Sequence, residues 1–178
     1  MTATTKQATV IPSIYVADLA AYNEGELVGR WIALRDGVTT EDVYEEISEM
    51  LLERGHEEWA IHDYENLPSS LGEYPDIEEL VQIAEAVREH GYMLIDGYIN
   101  YFGANELSHF SDRYRGTYSS LIDYAYELVD DCYNLEKLMG TLVHYFDYEK
   151  FARDLQLSGD IVVIEICWKE VGIFDSSF

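Results

Sequence analysis

Positive charge is scarce in this sequence. Eleven lysines and arginines face thirty-five aspartates and glutamates, a formal net charge of −24 over 178 residues. Such a chain is repelled by phosphate backbones and anionic lipid, so its expected partners are basic surfaces and not nucleic acid or membrane. Cysteine is scarce too. Cys132 and Cys167 are the only two, without a CxxC spacing, which argues against a disulfide framework or a zinc ribbon and for two reduced, buried thiols. No apolar run approaches the ~20 residues that span a bilayer. The first ten residues, MTATTKQATV, lack the apolar core of a signal peptide, so a cytoplasmic location is expected.

Motifs for nucleotides and metals are missing as well. There is no G-x-G-x-x-G and no G-x-x-x-x-G-K. DYENLPSSLGEY lacks the alternating oxygen ligands of a calcium loop. The five histidines, at 56, 62, 90, 109 and 144, never pair as HxH, HxxxH or HExxH. His62-Asp63, in EEWAIHDYENL, looks most like chemistry, yet neighbours on a strand point to opposite faces and cannot readily serve one metal. A strand-end histidine with ordinary hydrogen bonds is the simpler reading. Paired carboxylates could support glycosidase-like hydrolysis, but among thirty-five some pair always has a suitable spacing. No catalytic residue, metal or cofactor is expected, and the chain is not read as an enzyme.

What the sequence does have is apolar and aromatic surface, 48% and 13% of residues with fifteen tyrosines, enough to exclude a disordered acidic tail. VIPSIYVADL (10–19) reads as a strand running into a loop, with turn chemistry at Asn23-Glu24-Gly25 before an antiparallel strand from about Leu27 to Leu34. TTEDVYEEISEMLLERG reads as a helix capped by Thr39 with Asp42 three residues on, an apolar stripe of Val43, Ile47, Met50 and Leu51, and Gly55 past its end. EEWAIHDY (57–64) returns as a third strand, with Trp59, Ile61 and Asp63 on one face and Ala60, His62 and Tyr64 on the other. A second helix starts at Asp76 with Glu79 at N3, buries Ile77, Leu80, Val81, Ala84 and Val87, and stops at Gly91. YMLIDGYINYF (92–102) is expected to be helical, SDRYRG (111–116) a loop, and 117–132 a helix ending in Asp130-Asp131. Two short helices over 134–157 and a hairpin over 160–178, with alternation around Lys169-Glu170, complete the chain. The expected fold is α+β.

The acids are not spread evenly. Residues 41–90 hold sixteen of them against two bases, more than half of the net charge in under a third of the length. Exposed helices usually offset acids with lysines at i,i+4, and the 40–54 helix does not. Asp130-Asp131 oppose the dipole of their helix. The tyrosines at 44, 64, 74, 124, 126, 145 and 148 are interleaved with acids, a combination suited to an arginine-rich partner through charged hydrogen bonds and cation–π contacts. Two copies would carry −48, the phosphate charge of roughly 80 Å of duplex. A solvated, salt-adapted surface is the bland alternative.

Three stretches, IYVADLAAYNEGELVGRWI (14–32), EEWAIHDYE (57–65) and YFDYEKFARDLQLSGD (145–160), together resemble the ArdA-type antirestriction proteins of mobile genetic elements, and IDYAYELVDD (122–131) resembles that family's acidic antirestriction motif. The resemblance implies an elongated molecule of three small modules. These are an N-terminal three-stranded antiparallel sheet plus helix (1–66), a central helical module (67–110) and a C-terminal α/β module (111–178) through which a homodimer forms. It implies a mimic of bent B-form DNA that occupies the DNA-binding groove of type I restriction–modification enzymes and protects incoming mobile DNA. The acids expected to stand in for phosphates are Glu41, Asp42, Glu45, Glu46, Glu49, Glu53, Glu57, Glu58, Asp63, Glu65, Glu78, Glu79, Glu85, Asp123, Glu127, Asp130 and Asp131. The alternative is an acidic adaptor for another basic nucleic-acid-binding protein.

Overall fold

A short apolar stretch after Pro12 forms the central strand of the first sheet, β1 (Ser13–Asp18), buried along almost its whole length. The computed structural model describes residues 10–177; residues 1–9, which hold most of the segment read as lacking a leader, and Phe178, at the end of the expected hairpin, lie outside the described residues. The chain divides into two compact units, Met1–Leu107 and Ser108–Phe178.

In the first unit β1 is flanked by β2 (Gly29–Ala33) and β3 (Trp59–Glu65), antiparallel, in the order β2-β1-β3. Between β1 and β2 the chain makes a five-residue helix, α1 (Leu19–Asn23), where the sequence suggested only a loop. One turn is too short to leave a periodic signal, and its organiser is the buried Asp18, whose carboxylate accepts from the Ala21 amide at 3.1 Å. Helix α2 (Thr40–Leu52) forms as expected, with the Thr39–Asp42 capping box closed in both directions and Val43, Ile47, Met50 and Leu51 buried. It contacts β1 and β2. Burying those four side chains contributes roughly 6–12 kcal/mol before chain entropy is subtracted.

Strand β3 departs from simple alternation. Val16 pairs with Ile61 but Tyr15 pairs with Asp63, so His62 is an extra residue in the ladder. A bulge of this kind turns the residues beyond it to the other face. Asp63 therefore lies across the sheet from Ile61 rather than beside it, which corrects the expected grouping. Ala60 and Ile61 are both buried and Trp59 only half-buried.

Helix α3 (Ile77–His90) is capped by Asp76, which accepts from the Glu78 amide at 2.8 Å. Ile83 is buried where Val81 was expected; Val81 is half-exposed. Arg88 ties α3 to the end of β2 by donating to the Leu34 carbonyl at 2.6 Å. Gly91, at φ +90°, allows the sharp passage into α4 (Tyr92–Phe102). The fully buried Tyr98 of α4 donates to the Glu106 carbonyl at 2.8 Å.

The second unit opens with α5 (Phe110–Arg113) and β4 (Tyr114–Tyr118), where a loop was expected over 111–116. The strand exists because of its partner. It pairs with the last strand of the chain across a bulge at Tyr114/Gly116, and Tyr114 packs against Phe110 and Phe174. A Tyr-Arg-Gly-Thr-Tyr run with glycine at its centre does not announce a strand made by such tertiary pairing. Helix α6 (Leu121–Cys132), capped by Ser120, is followed by α7 (Leu135–Met139), a 3-10 helix (Gly140–Tyr145) and α8 (Tyr148–Ser158). The hairpin β5 (Ile161–Cys167) and β6 (Glu170–Asp175) completes an antiparallel sheet of order β4-β6-β5. Tyr124, Ile161 and Ile173 form its core, with Leu121, Leu128, Leu155 and Val171 around them. Both cysteines are exposed, against expectation. Cys132 ends its helix, and a register shift between Glu165 and Cys167 turns the second thiol outward, where it donates to Glu170 at 3.0 Å. The fold is α+β, with the sheet-plus-helix, helical and α/β regions in the expected order.

Asp18 holds the first unit together at one point. Burial would raise its carboxyl pKa, but His56 Nδ1 at 2.6 Å and the Ala21 amide outweigh that and hold it below the ordinary value. A depressed folded-state pKa stabilises above the unfolded value and is lost as pH falls through the folded one. Asp18→Ala is expected to lose roughly 2–4 kcal/mol by removing a cap and orphaning His56. Urea denaturation across pH should show a shallower loss of stability below pH ~4 in Asp18→Asn than in the native chain.

Candidate functional site

The acids of α2 occupy one side of the helix. At 100° per residue, Glu41, Asp42, Glu45, Glu46, Glu49 and Glu53 fall within an arc of about 140°, clear of the buried stripe. They run along about 18 Å of axis, one carboxylate per 3–4 Å. All are exposed except Glu46, which is half-exposed. Two have structural partners. Asp42 accepts from the Thr39 amide and hydroxyl, each at 2.9 Å, and these bonds lower its pKa. Glu53 lies 3.7 Å from Arg30. Among the described residues Glu41, Glu45, Glu46 and Glu49 have no ion pair, and the last turn of α2 carries no base.

The rest of the first unit adds acids from other elements. Glu57, Glu58 and Glu65 are exposed around β3, and Asp63 accepts from the Tyr64 amide at 2.8 Å. Glu78 and Glu79 sit in the first turn of α3, where the helix dipole favours them, and Glu85 lies further along on its exposed side. Glu78 and Glu79 thus carry a structural explanation that Glu41 and Asp42, in the first turn of α2, share and that Glu45, Glu46 and Glu49 lack. His62 is exposed and meets the ring of Tyr22 edge-on at 5.0 Å, as a packing contact. A histidine with a clear structural role is His56. Its pairing with Asp18, thirty-eight residues away in sequence, leaves no local signal.

In the second unit Asp123, Glu127, Asp130 and Asp131 share an arc of about 100° on α6 and are all exposed. Asp123 takes the Ser120 hydroxyl at 2.7 Å as part of the cap. Glu127 accepts from Tyr118 at 2.7 Å, and burial together with this bond pushes the Tyr118 pKa up. Asp130 and Asp131 have no ion pair among the described residues and sit at the unfavourable end of the helix dipole with no base in the last turn.

The tyrosines divide. Tyr44, Tyr74, Tyr126 and Tyr145 are exposed, Tyr64 and Tyr148 half-buried, and Tyr124 belongs to the core of the second unit. Burial pushes the Tyr64 pKa up to about 12. Asp18 is the one buried carboxylate among the described residues, and capping and His56 occupy it. No group of three or more His, Cys, Asp or Glu among the described residues could hold a metal ion. No described helix is long and apolar enough to cross a membrane. What the geometry offers is exposed carboxylate without matching cations, arrayed on helices.

Residues 14–170 match the family described as antirestriction protein (ArdA). The chain belongs to the ArdA antirestriction family. It is accordingly an antirestriction protein and not an enzyme, and the partners of an ArdA protein are type I restriction–modification systems. Compared with individual curated proteins, the chain matches none.

The mutual repulsion of Glu41, Glu45 and Glu49 should oppose folding. Replacing Glu41, Glu45 and Glu49 together by glutamine removes like-charged i,i+4 neighbours and is expected to raise the melting temperature by roughly 2–4 °C at low salt. The gain should shrink in about 0.5 M salt, where the native chain is already screened. Thermal melts at both salt concentrations check this, and a loss of stability on substitution would show that these carboxylates support the fold.

Proposed function

We propose that the protein blocks type I enzymes by presenting carboxylates in place of DNA phosphates and occupying the groove in which those enzymes hold DNA, thereby protecting incoming mobile DNA. One observation carries this reading. The six acids of α2 stand at one per 3–4 Å of axis, close to the one phosphate per ~3.4 Å of a single DNA strand. They stand on a regular helix, and Glu41, Glu45, Glu46 and Glu49 have no ion pair among the described residues. A preformed anion of that density releases counterions from a basic groove as DNA does, and needs no base contacts to bind. Asp130 and Asp131 extend the same chemistry, because their placement costs helix stability and brings no internal contact.

The acids are distributed over the three modules 1–66, 67–110 and 111–178, and binding energy is spread with them. The C-terminal module is the dimerisation module. Its support is an acid-free stretch between Lys137 and Asp147 that exposes Leu138, Leu142 and Tyr145. In a chain of this charge, copies can approach only where carboxylates are absent.

Two measurements test these statements. In a displacement assay with a purified type I methyltransferase and labelled duplex, the protein should release the DNA. Single acid-to-amide changes on α2 should weaken it about twofold or less, and all six together by up to about 60-fold. Undiminished DNA binding at excess protein would overturn the groove reading. In sedimentation equilibrium the native chain should be a dimer and Leu142→Glu a monomer with unchanged circular dichroism; a native monomer would remove the dimer.

A further inference from the structure

The first unit has a concavity of about 730 Å³ whose lining joins β2 to α2. Trp31 and Ala33 of β2, Asp36–Val38 of the connecting loop, and Asp42, Glu45, Glu46 and Glu49 of α2 line it. Trp31 is 46% exposed, large for an indole on a sheet, although one side of it rests on Tyr15 at 5.5 Å. Arg35 also borders the space but makes no ion pair with these acids among the described residues. Neither the capping box nor the core uses Trp31, Glu45, Glu46 or Glu49.

We propose that this concavity receives an arginine side chain from the basic groove of the partner enzyme, its guanidinium stacked on Trp31 and hydrogen-bonded to Glu45 and Glu49. This rests on the groove-occupation reading and gives it a specific anchor. Three properties select the occupant. The lining is strongly negative, so the occupant is cationic. A metal ion is disfavoured because no group of three or more His, Cys, Asp or Glu among the described residues is placed to hold one. A half-exposed indole sharing a concavity with several carboxylates suits a planar guanidinium better than a compact, strongly hydrated ammonium. A distributed mimic thus gains one point of fixed register, which smooth charge alone does not provide.

The test uses the native chain labelled with 5-fluorotryptophan, which gives three fluorine resonances for its three tryptophans. Trp31→Phe assigns the relevant signal, and if that variant does not fold, Trp59→Phe and Trp168→Phe assign it by elimination. Hexa-arginine should shift the Trp31 resonance saturably, and hexa-lysine should bind several-fold more weakly at equal salt. In the displacement assay Trp31→Phe should lose less affinity than Trp31→Leu, which should lose about tenfold with no change in salt dependence. A Trp31 resonance indifferent to hexa-arginine, or equal response to both peptides, overturns the arginine site whatever the displacement assay gives. A native chain that fails to displace DNA, while still binding hexa-arginine at Trp31, overturns the groove reading and leaves the site.

Discussion

Mutual repulsion among carboxylates sets the terms on which this chain folds. With a net charge of −24, every element has to keep its acids outward while still burying enough apolar surface to stay compact. Helix α2 shows the solution at residue level. Its acids and its buried stripe occupy separate arcs, so neither interrupts the other. Each like-charged i,i+4 pair costs roughly 0.2–0.5 kcal/mol, whereas the buried stripe contributes several times the sum of these costs. Packing wins, and the charge survives as surface.

The two units meet this constraint with different means. In the first, a three-stranded sheet is closed by α2, and the Asp18–His56 pair joins the end of β1 to the approach to β3. One carboxylate is thus used internally, with a partner and a helix cap to offset its burial. In the second, a small aromatic and aliphatic core lies between α6, α8 and the β4-β6-β5 sheet, and Arg115 holds Asp175 through its Nε at 2.8 Å. Cations are few, and several of them are engaged in such tethers. Arg54 and Arg115 hold Glu26 and Asp175, acids that are not on the face of α2 or α6, while Arg30 makes a long contact to Glu53 of the α2 face. The faces left uncompensated are those assigned to the partner.

Much of this was legible because it is local. The Thr39–Asp42 box, the stripe of α2, the α3 cap at Asp76 and the Lys169-Glu170 hairpin all declare themselves within a few residues. What escaped depends on distant pairing. Strand β4 exists only opposite β6, the bulge at His62 appears only when β3 meets β1, and His56 reveals its role only beside Asp18. Exposure of the cysteines stems from a helix end and a register shift, which composition cannot foresee. For the acidic surface, the helical spacing gave the arcs, while the division between acids used in caps and acids left bare needed coordinates. Tyr124 is the clearest instance: adjacent to acids in sequence, it points into the core.

The central claim is that charge presented at the density of phosphate is what binds. The most direct measurement is the slope of log affinity against log salt for this protein and for duplex DNA on the same type I methyltransferase. Phosphate mimicry requires both slopes to be steep and of similar size, each reflecting release of several ions. A nearly flat slope for the protein beside a steep one for DNA would contradict it.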